Sequence, residues 1–161
     1  MNRAERVGGK RKNTVGFALT VLQRRLASSP EAIYKSLVRR SERLERKKLE
    51  IQNGTYNETE PTFDISDIDE DEFNAEELEQ LEEDVMDAAT AAQTVEELNA
   101  ELMELADLVE TARLVREAGT DRKWTELSNI LQDNALVTDK NGWPRKFIIF
   151  TEHRDTLDYL Q

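Results

Sequence analysis

The fold is decided by the stretch TVEELNAELMELADLVETA, residues 94–112. Thr94, followed three residues later by Glu97, forms a capping box, which predicts that a helix begins here. The apolar residues of the stretch alternate spacings of three and four, and they are Val95, Leu98, Leu102, Leu105, Val109 and Ala112. A narrow seam of this kind is typical of antiparallel, coiled-coil-like packing. We therefore expect a mainly α-helical protein with long antiparallel helices, arranged as a bundle or in a coiled-coil-like manner.

Further helices are predicted on both sides of this stretch. A similar seam spans residues 75–92, and a basic helical hairpin spans 13–52, with Ser29 as N-cap and Pro30 at the first position of its second helix. A shorter helix is expected over about 121–134. We divide the chain into a flexible basic arm (1–12), the helical hairpin (13–52), a partly disordered acidic loop (53–74), a helical region (75–136) and a final segment (137–161).

The composition favours thin, solvent-exposed helices over a thick core. Hydrophobic residues make up 38% of the 161 residues and charged residues 35%. The sequence has no Cys, which excludes disulfides and thiolate metal sites and is compatible with the cytoplasmic location that we expect. No apolar run approaches the roughly 20 residues of a membrane span, so we expect no membrane partner.

The charge is distributed very unevenly along the chain. Residues 1–50 carry a net charge of +9, whereas residues 51–110 contain 21 acidic residues and no Lys or Arg. Arg24 and Arg25 of the first helix and the basic side chains of the second helix form one basic patch. Its members in the second helix are our candidate contacts for nucleic-acid phosphates, namely Arg39, Arg40, Arg43, Arg46, Lys47 and Lys48. The alternative is that this patch pairs with the acidic helices of the same molecule.

The C-terminal stretch KFIIFTEHRDTLDYLQ, residues 146–161, has a different pattern. The apolar run Phe147–Phe150 predicts one β-strand buried on both faces of a parallel sheet, followed by an amphipathic helix. Since one strand cannot form a sheet, we expect it to open an incomplete domain. Thr151, His153 and Arg154 follow the strand, where open α/β sheets bind ligands. The alternative is that they only cap and solubilise the next helix.

The sequence contains no pattern for a catalytic, cofactor or metal site. Gly8-Gly9 lacks the strand and the Lys-Ser/Thr of a phosphate-binding loop, and a single His excludes a His-based metal cluster. The acidic run Asp67–Glu72 lacks the Gly and the distal Glu of a calcium-binding EF-hand, so a solvated acidic linker is the favoured interpretation.

Three segments together resemble a known family. They are Asn13–Ile33 with the Arg-rich helix after it, Lys123–Leu131, and Lys146–Leu160. In this order they resemble the region between the two RecA-like motor lobes of superfamily 2 helicases, closest to bacterial SNF2-like enzymes. The last segment resembles the opening strand and helix of the second lobe.

The resemblance implies a fragment of an ATP-dependent helicase or translocase that acts on nucleic acid, and we expect DNA as its track, with RNA as the alternative. ATP and Mg²⁺ would bind elsewhere in the parent protein, because the family's phosphate loop, DExH-type motif and arginine-finger motif are absent from these 161 residues. Thr151, His153 and Arg154 would lie near the nucleic-acid backbone. Expected partners are nucleic acid, the remaining motor lobes and a second copy of the chain. The alternative from another class is a helical protein–protein interaction module without motor activity.

Overall fold

The computed structural model describes residues 3–56, 75–88, 94–133 and 137–161, with side chains from residue 14 onward and, in the third helix, over 77–86. These ranges contain six helices, which confirms the mainly α class. They are α1 (Arg3–Ser28), α2 (Pro30–Gln52), α3 (Ala75–Ala88), α4 (Val95–Glu117), α5 (Arg122–Gln132) and α6 (Arg154–Leu160). The acidic run Asp67–Glu72, which belongs to the predicted loop, lies outside the described residues.

A sharp bend at Ser29 joins α1 and α2. Ser29 has an extended backbone, and its hydroxyl accepts a hydrogen bond from the Ala32 N–H at 3.1 Å. Pro30 occupies the first turn of α2, where its missing N–H costs nothing. At the other end Gly54 adopts a φ of 68°, which favours glycine and lets the chain leave the helix. The predicted start and stop of α2 are therefore confirmed.

The main core lies between α2 and α4. The capping box is confirmed, with both reciprocal bonds between Thr94 and Glu97 at 3.2 Å. The seam of α4 packs on the apolar side of α2 and buries Leu37, Leu44, Leu98, Leu105 and Ala112. The two helices run antiparallel, because Arg40 of α2 contacts Glu101 near the start of α4 and Arg116 near its end contacts Glu31.

A smaller core joins α3 to α1. It contains Ala18 and Val21 of α1 and Met86 of α3, with Phe17 and Leu22 at its edge. The sequence predicted the seam of α3 but did not say which helix it packs against. Both acidic helices, α3 and α4, pack against the basic hairpin of α1 and α2, so the observed packing brings opposite charges together.

The predicted C-terminal β-strand is wrong. Residues 145–150 form no strand, and Ile148 and Phe150 are 79% and 90% exposed. The nearby antiparallel bridge between Thr138 and Pro144 is isolated and closes a turn. A strand is stabilised by ladder hydrogen bonds and by burial against its neighbours, and no neighbouring strand occurs in the described residues. The part of the fold prediction that placed here a strand of an incomplete RecA-like lobe is therefore corrected.

The start of the first helix also differs from the expectation. We expected a flexible arm over residues 1–12 and a helix from Asn13 or Thr14, whereas α1 begins at Arg3. Extending an existing helix by one residue costs far less than nucleating one, and Ala, Arg, Lys and Glu are good helix formers. These residues therefore continue the helix that begins with the apolar seam.

Candidate functional site

Three of the predicted phosphate contacts face the acidic helices of the same molecule. Arg39 Nε lies 2.8 Å from a carboxylate oxygen of Glu83, which also pairs with Arg43. Arg40 contacts Glu101 at 2.6 Å and donates a hydrogen bond to the Met86 carbonyl oxygen at 2.6 Å. The alternative interpretation of the basic patch, intramolecular pairing, therefore holds for the first half of the patch.

The other half of the patch is arranged differently. Arg46 is exposed and Lys48 is half-buried. The ammonium group of Lys47 lies over the ring of Tyr56, 5.3 Å from its centroid. The six predicted residues therefore do not form one continuous phosphate-facing stripe.

Arg25, which the sequence placed in the basic patch, has the most buried charged side chain among the described residues. Arg25 of α1 is fully buried, and its Nη2 donates to Glu82 Oε2 of α3 at 3.1 Å. Glu79 lies 3.7 Å from the same guanidinium. Arg25, Arg39, Arg40 and Arg43 together line α3, and we call these four residues the arginine row. The sequence placed all four in one basic patch, but nothing in their spacing indicated that they line the same acidic helix.

His153 is a buried neutral residue at the start of α6. It occupies the N-cap position, but its side chain makes no capping hydrogen bond and is 5% exposed. Burial, followed by the charges of Arg25 and Arg24, lowers the pKa of His153 to about 4, which Asp155 opposes only partly. The alternative was that His153 only caps and solubilises the helix. Its side chain does neither, because it is buried and makes no capping hydrogen bond. Thr151 is half-buried beside it and Arg154 is exposed.

Asp155 fastens α6 to the middle of α2. Its carboxylate accepts a hydrogen bond from Arg39 Nη2 at 2.7 Å and lies 3.4 Å from Lys35 Nζ. Burial favours the neutral acid, but the hydrogen bond and charge of Arg39, with the charge of Lys35, hold the pKa of Asp155 below its usual value. The Arg39 guanidinium therefore bridges α3 and α6.

A second set of contacts surrounds the bend between α1 and α2. The Thr156 hydroxyl lies 2.7 Å from the Ser28 hydroxyl and 2.8 Å from the Ser29 hydroxyl, and all three oxygens are hydrogen-bonded. The ammonium group of Lys123 donates to the Ala27 carbonyl oxygen. We call this region, where the bend meets α5 and α6, the corner. It borders an open cleft of about 430 Å³ that Trp124 and Phe150 also line.

The single histidine gives a direct test of this packing. In the unfolded chain its pKa returns to about 6.5, so the native state binds its proton less readily. This contribution to stability is complete above pH 6.5 and is lost as the pH falls towards 4. We expect the NMR titration of the His153 ring protons to give a pKa near 4. A midpoint near 6.5 in the folded protein would show that the imidazole is solvated.

The contacts described above are ion pairs and hydrogen bonds that hold the helices together. Among the residues with described side chains, no group of three or more His, Cys, Asp or Glu residues could hold a metal ion. The helices within the described ranges also include none that is both long and apolar enough to cross a membrane.

Comparison with protein-family models, curated proteins and solved structures finds no match.

Proposed function

We propose that this chain is the helical linker between the motor lobes of an ATP-dependent nucleic-acid helicase or translocase. In this proposal it is not catalytic alone: the parent protein binds ATP and Mg²⁺ elsewhere and works in the cytoplasm, on DNA. The linker transmits the opening and closing of the lobes.

The corner is the observation that carries this proposal. The three segments that resemble the helicase family are far apart in sequence, yet one residue from each lies here. Ser28 belongs to the first segment, Lys123 to the second and Thr156 to the third. Ser28 is hydrogen-bonded to Thr156, and Lys123 donates to the carbonyl oxygen of Ala27, the residue before Ser28. A resemblance shared by chance among unrelated segments gives no reason for them to meet in one place. Their contact supports a single mechanical unit.

The exposed apolar run next to the corner fits the same proposal. Ile148 and Phe150 are largely exposed, while α6, four residues after Phe150, is fastened by Asp155 and Thr156. A surface of this kind at a fixed position is suited to packing against another part of a larger protein. We propose that the remaining motor lobes cover it, so that their movement reaches α2 through α6.

Replacement of Thr156 by valine in the parent protein tests the linker. Valine keeps the shape but leaves the Ser28 and Ser29 hydroxyls without this partner, so α6 is held less firmly. We expect basal ATP hydrolysis to be unchanged and its stimulation by DNA to fall several-fold, measured by phosphate release with and without DNA.

The matched control is Thr111→Val on α4. Thr111 is exposed, and its hydroxyl donates only to the Asp107 carbonyl one turn earlier. The control is expected to retain full stimulation. An equal loss in both variants, or a parent protein without ATPase activity, contradicts the linker proposal.

A specific observation favours the second candidate, a helical protein-interaction module. Met103 and Leu114 of α4 are 74% and 54% exposed, on the face opposite to its packed seam. If these side chains bind a partner protein, replacing both by serine abolishes that complex and leaves DNA-stimulated ATP hydrolysis intact. Loss of the stimulation without loss of a partner favours the linker instead.

A further inference from the structure

We propose that the arginine row is a binding site for the phosphate backbone of a nucleic acid and that α3 is an acidic cover which the nucleic acid displaces. The inference rests on the proposed function in one respect, that nucleic acid is the polyanion concerned. It assigns to α3 a regulatory role, since the site is closed while α3 is bound.

The charge spacing of α3 resembles that of a nucleic-acid strand. Residues 75–88 contain seven acidic residues and no basic one. Because a helix of 14 residues is about 21 Å long, this corresponds to one negative charge per roughly 3 Å. In a DNA duplex each strand carries one phosphate per about 3.4 Å of helix axis. Three of the charges of α3, Glu79, Glu82 and Glu83, face the arginine row, which therefore already holds several negative charges along one line.

The cover satisfies the arginine row incompletely. Arg25 is fully buried, yet its Nε and Nη1 atoms have no hydrogen-bond partner in the part of the chain that the structure describes. A carboxylate oxygen of Glu79 lies 3.7 Å from Nη1, beyond hydrogen-bonding distance. A guanidinium group forms parallel hydrogen bonds with phosphate oxygens. A phosphate at this position would therefore satisfy donors that the cover leaves unpaired.

The cover also has less apolar contact than α4 has with α2. In the part of α3 with described side chains, the buried apolar residues are Val85 and Met86. The cluster between α3 and α1 contains three buried residues, against five in the cluster between α2 and α4. Ion pairs provide much of the remaining contact of α3, and these are exchanged rather than lost when phosphates replace carboxylates. Displacement of α3 therefore leaves the main core intact.

Neutralising the face of α3 tests the proposal on the 161-residue chain. In Glu79→Gln/Glu82→Gln/Glu83→Gln, the cover loses its attraction for the arginine row. Binding to a labelled single-stranded 20-mer is measured by fluorescence anisotropy at several salt concentrations. We expect affinity at least tenfold above wild type. Adding Arg39→Gln and Arg43→Gln should lower the salt slope by about 1.4, since each phosphate contact on a single strand contributes about 0.7.

The matched control is Glu96→Gln/Glu104→Gln/Asp107→Asn on the exposed side of α4. It changes the net charge by the same amount but leaves the cover in place, so its affinity should stay near that of wild type. Equal gains in both triple variants would attribute the effect to net charge and overturn the proposal. So would a cover variant that binds no more tightly than wild type.

Hydrogen exchange on the wild-type chain decides the question even if the cover variant does not fold. A saturating amount of the 20-mer is expected to raise the exchange rate of residues 75–88 while α2 and α4 stay protected. Unchanged or slower exchange in α3 contradicts displacement. Because these measurements need no ATP and no motor lobe, their failure is distinct from failure of the Thr156→Val test.

Discussion

Leu98→Ala is expected to destabilise the protein by about 3 kcal/mol, because Leu→Ala changes at buried sites cost about 2–5 kcal/mol. Leu98 is fully buried in the seam between α2 and α4, where it packs with Leu44 and Leu105. In a protein with a thin core, few neighbouring side chains can move to fill the cavity. The effect is therefore a large fraction of a total stability that is typically about 5–15 kcal/mol.

The measurement is urea unfolding followed by circular dichroism at the helical band. Leu108→Ala is the matched control, since the same substitution is made on the same helix at a residue that is 54% exposed. The control is expected to change stability by no more than about 1 kcal/mol. Similar losses in both variants would contradict the assignment of Leu98 to the core.

Glu82→Gln is expected to release α3 from the rest of the protein. The substitution leaves the guanidinium of Arg25 buried without its closest counter-ion, and removal of one partner from a buried pair typically costs about 3–5 kcal/mol. Detachment of α3 relieves this penalty, because Arg25 then becomes hydrated. The expected result is rapid hydrogen exchange over residues 75–88, with protection of α2 and α4 retained.

Removing both charges provides the control for this result. In Arg25→Met/Glu82→Leu no buried charge remains, and apolar replacements of buried ion pairs are often neutral or stabilising by about 1–4 kcal/mol. We expect this variant to keep α3 protected from exchange. If Glu82→Gln alone leaves the exchange of α3 unchanged, Arg25 is not dependent on that carboxylate.

In both predictions the helix itself could be predicted from sequence spacing, whereas its packing partner could not. The seam of α4 and its capping box depend on residues within one or two helical turns of each other, so sequence spacing alone predicted them. The same holds for the cap and the proline that begin α2. The partner of each seam depends instead on contacts across 40 residues or more, such as that between Arg43 and Glu83. Nothing within a seam itself determines whether it packs on α1 or on α2.

The site shows the same division. The sequence marked Arg39, Arg40 and Arg43 as neighbours on one helix face, and they are neighbours. Whether they face solvent or carboxylates was left open, because both arrangements are compatible with the same spacing. Arg25 belonged to the predicted basic patch, but its burial against Glu82 was not predicted. Thr156 was missed, since a single Thr in a helix has no distinguishing pattern.

The failed strand prediction has the same origin. Phe147–Phe150 has the apolar, β-branched and aromatic composition of a buried strand, but a strand is not stable by itself. Its hydrogen bonds and its burial come from neighbours that the described residues do not provide. In contrast, a helix satisfies its backbone hydrogen bonds internally.

The sequence by itself determined the helices, because caps, turn residues and apolar periodicity act within a few residues. Tertiary structure alone decided that α4 packs on α2 and α3 on α1, that α3 covers the arginine row, and that Ser28, Lys123 and Thr156 meet at the corner. Each of these arrangements rests on hydrogen bonds, ion pairs or apolar contacts between distant residues. Their energies depend on which surfaces the folded chain brings together, and local sequence does not contain that information.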